Sequence, residues 1–177
     1  MKTKHIINTN KKPLLPKDYE SWKIESHIKN GKVDLSKIEL YLSEKQKTGY
    51  IEGNDLLKEL EGKNVLNANV LDYLLEHPDL IPSKWKGKHV YFWGTIYRDF
   101  DGGLCVRCLV SDGKSWDWRY YWLDDNFFGS FDPAAVAGKS SSTKTSESLS
   151  SLDTLNLESR IEKLEEDMIK IRKFLII

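Results

Sequence analysis

Apolar and polar residues alternate with a period of two through His89–Leu123, HVYFWGTIYRDFDGGLCVRCLVSDGKSWDWRYYWL. Residues two apart share one face of a strand, so the stretch predicts strands rather than helices. The last apolar run is the plainest. Trp116, Trp118, Tyr120 and Trp122 fall on one side, and Ser115, Asp117, Arg119 and Tyr121 fall on the other. The middle run sets Leu104, Val106, Cys108 and Val110 inside against Cys105, Arg107 and Leu109 outside. The first run is apolar on both sides, with Val90, Phe92 and Ile96 against Tyr91, Trp93 and Tyr97, which fits burial on both faces or a central strand. Asp101-Gly102-Gly103 and Asp112-Gly113 separate the runs, and Asp-Gly suits the positive φ angles of a hairpin turn. The pattern predicts a three-stranded antiparallel sheet, aromatic on its covered face, with Arg107, Asp117, Arg119 and Tyr121 side by side on its wet face.

Ahead of this sheet, residues 1–15 read as a flexible lead-in to a globular domain spanning 16–137. Trp22, Ile24, Ser26 and Ile28 alternate before Asn30-Gly31, and Val33 and Leu35 follow, which predicts a hairpin. Ile38, Leu40 and Leu42 continue the period as a further strand. Two short helices come next. Asn54 is placed to cap one carrying Leu56, Leu57 and Leu60, with Gly62 as its stop. Asn67 or Asn69 caps the other, whose stripe of Val70, Leu71, Leu74 and Leu75 is expected to cover the aromatic sheet face. His77-Pro78 ends it, because the residue before proline is driven out of the helical region. The fold class is α+β: a strand region, two helices and the aromatic-rich sheet.

Beyond Val136 the pattern changes. Residues 138–152 are rich in Ser and Thr and read as a disordered linker. Leu157, Ile161, Leu164, Met168, Ile171 and Leu175 then recur at spacings of 4, 3, 4, 3 and 4, the seam of a coiled coil over 153–177. In a parallel assembly Arg160 meets Glu165 and Asp167 meets Arg172 across the seam, both attractive pairs. Ile161 and Leu164 favour a dimer, while Ile171 leans towards a trimer. The competing reading is a single amphipathic helix folded back on the body.

Charge narrows the classes of partner. The chain of 177 residues carries 27 basic and 27 acidic side chains. Residues 91–137 hold 4 basic and 7 acidic ones, so the aromatic segment is its acidic part, which disfavours a nucleic-acid partner there. No run reaches the roughly 18 apolar residues of a membrane span, and residues 1–20 lack the apolar core of a secretory signal; a cytoplasmic location is expected.

Candidate chemistry is sparse. Cys105 and Cys108 form a CxxC, yet on a strand they project to opposite faces, too far apart to bridge. No second CxxC or His pair completes a metal site, so neither metal nor cofactor is expected. The histidines His5, His27, His77 and His89 are scattered. Asp99, Asp101, Asp112, Asp117, Asp124 and Asp125 are dense enough for an acid–base pair, but most sit where aspartate serves turns.

The strings LYLSEKQ, YIEGNDLLKEL, VLNANVLDYLL, LIPSKWKGK, FWGTIYRD and WLDDNF followed by PAAV resemble a family of short uncharacterised proteins of candidate-phylum bacteria. Its members look like variable-protein targets of diversity-generating retroelements, in which one segment is hypermutated to diversify ligand binding, often on a C-type-lectin-like fold. The resemblance covers Trp22 to Val136 and implies a variable segment from about Asp101 to Asp132. The leading expectation is therefore a non-enzymatic module that binds a protein or small ligand. Its recognition residues would be Arg107, Asp117, Arg119, Tyr121 and Asp124, gathered in several copies by the C-terminal helix. A structural or phage-type assembly protein is the first alternative, and a hydrolase using the aspartate cluster the second.

Overall fold

The computed structural model describes residues 5–16 and 19–138. The linker beyond Gly138 and the seam of Leu157, Ile161, Leu164, Met168, Ile171 and Leu175 lie outside the described residues. In chain order the strands are β1 (Ile6–Asn8), β2 (Lys23–His27), β3 (Lys32–Asp34), β4 (Ile38–Tyr41), β5 (Tyr50–Glu52), β6 (Val90–Arg98), β7 (Leu104–Ser111), β8 (Trp116–Trp122), β9 (Asn126–Phe128) and β10 (Ala134–Ala137). The helices are α1 (Glu44–Thr48), α2 (Gly53–Glu59) and α3 (Ala68–Glu76). No helix among the described residues is long and apolar enough to cross a membrane.

The fold is α+β, and its sheet is larger than the three strands expected. β6, β7 and β8 do form an antiparallel meander, but β6 also pairs in parallel with β10, β10 pairs with β4, and β2 pairs with β6. β6 is thus the central strand, which explains why both of its faces are apolar: Val90 through Tyr97 are all buried. A second departure concerns the Asn30-Gly31 turn. The runs flanking it do not pair with each other. β2 joins β6, and β3 joins β1, so residues 6–8, expected as part of a loose lead-in, are a paired strand. Ile7 and Val33 are buried beneath α3, and that burial recruits them.

β6 departs from β7 over Phe92–Thr95, where the register shifts between Tyr91 and Ile96. Here Gly94 turns its backbone to other partners: its N–H donates to Leu66 O at 2.8 Å, and its C=O accepts from Ile28 N–H at 2.7 Å. A Cβ at Gly94 would lie 2.9 Å from Asn67 N and from Leu66 C, so only glycine permits this approach. Asn67 stands at the centre of the junction. Its Oδ1 accepts from Asn69 N–H and caps α3, as expected, while its Nδ2 donates to Thr9 O at 2.9 Å and Ile28 O at 2.8 Å. Thr9 O can only accept, so His27 Nε2–H donates to it at 3.2 Å, while Nδ1 lies 2.8 Å from Thr95 Oγ1, which also accepts from Ala68 N–H.

Two layers cover the sheet. On one face α3 supplies Val70, Leu71 and Leu74 against Val90, Phe92, Leu109, Trp116 and Trp118, as its stripe predicts. Trp22, Leu15 and Tyr19 cover Tyr97, Cys105, Tyr120 and Trp122 on the same face. On the other face α2 and the β5–β9 pair bring Leu56, Leu60, Ile51 and Phe127 against Tyr91, Trp93, Val106 and Cys108. The N-cap position of α2 falls on Glu52, whose side chain makes no cap hydrogen bond, and Asn54 lies inside the first turn instead of capping it. Helix α1 is a third helix beside the two that the apolar pattern predicts. Its start carries a capping box, with Ser43 Oγ and Gln46 Oε1 closing each other's N–H groups, a signal legible in Ser43-Glu44-Lys45-Gln46.

Candidate functional site

β8 ends the sheet path and carries most of the residues of interest. Its register pairs Asp117 with Val110, Arg119 with Cys108 and Tyr121 with Val106. Those three partners belong to the core layer shared with α2, so Asp117, Arg119 and Tyr121 lie on one face, together, as expected. Asp117 and Arg119 are exposed and Tyr121 is half-buried.

Arg107 does not join them. Its register partner is Tyr120, which puts it on the opposite face, under α3, at 4% exposure. Its Nη2 lies 2.9 Å from Asp72 Oδ1, and its Cζ lies 4.4 Å from the centre of the Trp118 ring. Period-two reading failed here because it assumed that one face of β7 was wet. Both are covered: Cys105, Arg107 and Leu109 are as buried as Val106 and Cys108. Burial raises the pKa of the Asp72 carboxyl above its ordinary value even though Arg107 pulls it down. The Tyr97 hydroxyl and Arg107 Nε are buried without a well-aligned partner. The guanidinium is still near enough to moderate the burial that raises the Tyr97 phenol.

Asp124 is also separate. It is exposed in the turn after β8 and lines a depression of about 520 Å³ with Asn54, Asp99, Asp101 and Trp122. Neither Asp117, Arg119 nor Tyr121 reaches that depression.

What the structure adds to the β8 face comes from distant sequence. The His89 ring stacks on Tyr121 with centroids 5.6 Å apart, and its Nδ1 lies 3.2 Å from Asp132 Oδ1. Asp132 Oδ2 accepts from Phe128 N–H at 2.7 Å, and His89 N–H donates to Phe131 O at 2.7 Å. These bonds fix the 128–132 turn beside Tyr121. Burial raises the Asp132 pKa, against the Phe128 N–H and His89, which both favour its charged form. The turn presents Phe128 and Phe131, 52% and 64% exposed, and Phe128 packs on Tyr50, itself 57% exposed, with ring centroids 5.5 Å apart. No spacing in the sequence ties His89 to Asp132 or Tyr50 to Phe128. The pairing of β5 with β9 brings the latter two opposite each other.

Beneath this face Tyr91, Cys108 and Arg119 form one cross-strand row. Burial pushes the Cys108 thiol up to about 12, and burial carries the Tyr91 phenol well above its ordinary range. Cys105 is likewise pushed up to about 12, on the other side of the sheet among Trp22 and Tyr97. Both cysteines are free and buried, on opposite faces as the strand spacing requires. A thiol-specific disulfide reagent at pH 8 is therefore expected to titrate neither until denaturant is added; rapid reaction of native protein would show that a face opens. Among the described residues, no group of three or more His, Cys, Asp or Glu is placed to hold a metal ion.

No family model, curated protein or solved structure matches the chain. The β8 face carries Asp117 and Arg119 side by side and a stacked Tyr–His pair, and the adjoining β5 and 128–132 turn add three exposed aromatic rings. The thiol on this face is buried and holds its proton, and the His89–Asp132 pair is engaged in anchoring a turn.

Proposed function

We propose that this chain is a non-enzymatic binding module whose recognition surface is the exposed face of β8 with the adjoining aromatic rim. The observation that carries this reading is the continuity of Asp117, Arg119 and Tyr121 with Tyr50, Phe128 and Phe131 through the His89–Asp132 anchor. Exposed apolar rings rimmed by charges mark interaction sites, and Tyr and Arg are enriched at binding hot spots. The segment from Asp101 to Asp132, which the retroelement-target resemblance implies to be variable, supplies every one of these residues except Tyr50 and His89. Diversifying that segment would change the contact surface while β6, α2 and α3 stay fixed. The 153–177 helix would gather several such faces in a cytoplasmic homo-oligomer, and linked sites gain avidity of about 10²–10⁴ over one site.

Pull-down from the source cell with wild type and with Asp117→Ser, Arg119→Ser and Tyr121→Ser combined tests the reading. The triple variant is expected to lose its captured partner at unchanged melting temperature. Loss of stability with an unchanged set of partners would reduce the face to ordinary surface. Hydrolase turnover that disappears on Asp117→Asn would overturn the non-enzymatic part.

A further inference from the structure

We propose that the outer edge of β8 pairs, antiparallel, with β8 of a second copy of this chain, centred on Trp118. The inference is independent of what the β8 face recognises. Leu123 N–H donates to Leu104 O at 2.9 Å, which sets the alternation of the edge strand. Tyr121, Arg119 and Asp117 turn their backbone groups towards β7, and Trp116, Trp118, Tyr120 and Trp122 turn theirs outward. Among the described residues, β8 has no strand on that side. Such an edge is a template for another strand unless it is blunted. Here the blunting is partial. Trp118 N–H is taken by Asp117 Oδ1 at 2.7 Å and Trp122 N–H by Asp125 Oδ2 at 3.2 Å, while no strand or loop of the described residues pairs with the outward groups of Trp116 and Tyr120. A groove of about 280 Å³ lies on the edge itself, lined by Tyr19, Trp118, Arg119, Tyr120 and Tyr121.

Charge selects the occupant and the register. With Trp118 opposite its own copy, Asp117 faces Arg119 of the second chain and Arg119 faces its Asp117, two attractive cross-strand pairs. Trp116 then faces Tyr120 on the aromatic side, and their free N–H and C=O groups bond each other. Asp117 leaves Trp118 N–H for the incoming Arg119 and so frees that donor for the second strand. Centring one residue earlier or later sets Asp117 against Asp117 or Arg119 against Arg119. Centring on Tyr120 sets Asp117 against the buried Leu123. The Trp118-centred register alone uses both charges. It leaves the β8 faces of the two copies continuous, with the Asp117–Arg119 pairs at the seam.

Cysteine cross-linking of the full-length chain reads the register directly. Asp117→Cys and Arg119→Cys variants are mixed under mild oxidation; Cys105 and Cys108, being buried, do not compete. The mixture is expected to form the mixed disulfide on the order of tenfold faster than either variant forms its own, the ratio that about 1.4 kcal/mol of register preference gives. Gathering of copies by the C-terminal helix would speed mixture and single variants alike, so the ratio reports the edge. Equal rates, or none, would overturn the proposal and leave β8 either unpaired or reserved for a strand of another protein. Loss of the captured partner in the triple variant, without any cross-linking preference here, would keep the recognition face and remove only this pairing.

Discussion

Asp72→Ala is expected to lose about 3–5 kcal/mol of folding stability, the cost of leaving a buried guanidinium without its counter-charge. Arg107 is 4% exposed beneath α3 and cannot give up its proton, so neither water nor deprotonation relieves it. The partner is differently placed. Asp72 has a side chain 27% exposed, and burial already raises its pKa above the ordinary 3.8. For a carboxyl whose folded pKa is raised, the folded state holds the proton more tightly than the unfolded one. Its contribution is therefore most favourable below the unfolded pKa and declines as pH rises through the folded value. The net shift sets the burial of Asp72, which disfavours its charge, against its attraction to Arg107, which favours it. Asp72→Asn keeps an acceptor oxygen but removes the counter-charge, so it is expected to recover about 0.5–1.5 kcal/mol of the alanine variant's loss, the worth of one hydrogen bond, and to fall between Asp72→Ala and wild type. Arg107→Met, which fills the space and lets Asp72 hydrate or protonate, is expected to fall well short of the alanine variant's loss. Urea unfolding at pH 7 ranks the three. Asn as damaging as Ala would show that the negative charge itself is required.

The same residue marks where sequence reading reached its limit. Alternation along β7 is real, and Cys105, Arg107 and Leu109 do share a face. What alternation cannot supply is whether a second layer covers that face. The cover over Arg107 includes α3, whose stripe was legible, and Leu15 and Pro16, which come from a stretch with little periodicity. Likewise, Asp117, Arg119 and Tyr121 were legible as neighbours because period two on one strand is a local property. His89 and Asp132 were not, because their meeting depends on Asp132 lying just ahead of β10, which runs parallel beside β6. Short strands such as β1, β5, β9 and β10, of 3 or 4 residues, carry too few positions to show any period. They are fixed by their partners, and β5 and β9 supply Tyr50 and Phe128 to the rim of the candidate face.

Asn67→Ala is expected to lose about 2–4 kcal/mol, summing a helix cap worth about 1 with a stranded buried acceptor worth about 1–3. Asn67 is wholly buried. Thr9 O keeps other donors in His27 Nε2 and Asn69 Nδ2, whereas Ile28 O depends on Asn67 Nδ2. Asn67→Asp separates the two contributions. It retains the oxygen that caps Asn69 N–H but replaces the donor with a second oxygen, set against Thr9 O and Ile28 O where Nδ2 now lies 2.9 and 2.8 Å away. Only the protonated carboxyl can donate there, so the folded pKa of the new group must stand above the unfolded value of about 3.9. A raised folded pKa gives stability that is fully present below the unfolded value and is lost as pH rises through the folded one. Asn67→Asp is therefore expected to lie close to wild type near pH 4 and to fall progressively behind it towards pH 7. The deficit of Asn67→Ala should stay constant over the same range. Paired urea titrations at the two pH values decide this, and a pH-independent deficit for Asn67→Asp would mean that the Thr9 and Ile28 carbonyls find other donors. The expected loss reaches the candidate face through α3, because the cap that starts this helix also places Asp72 over Arg107 and, through Trp118, the strand that bears Asp117 and Arg119.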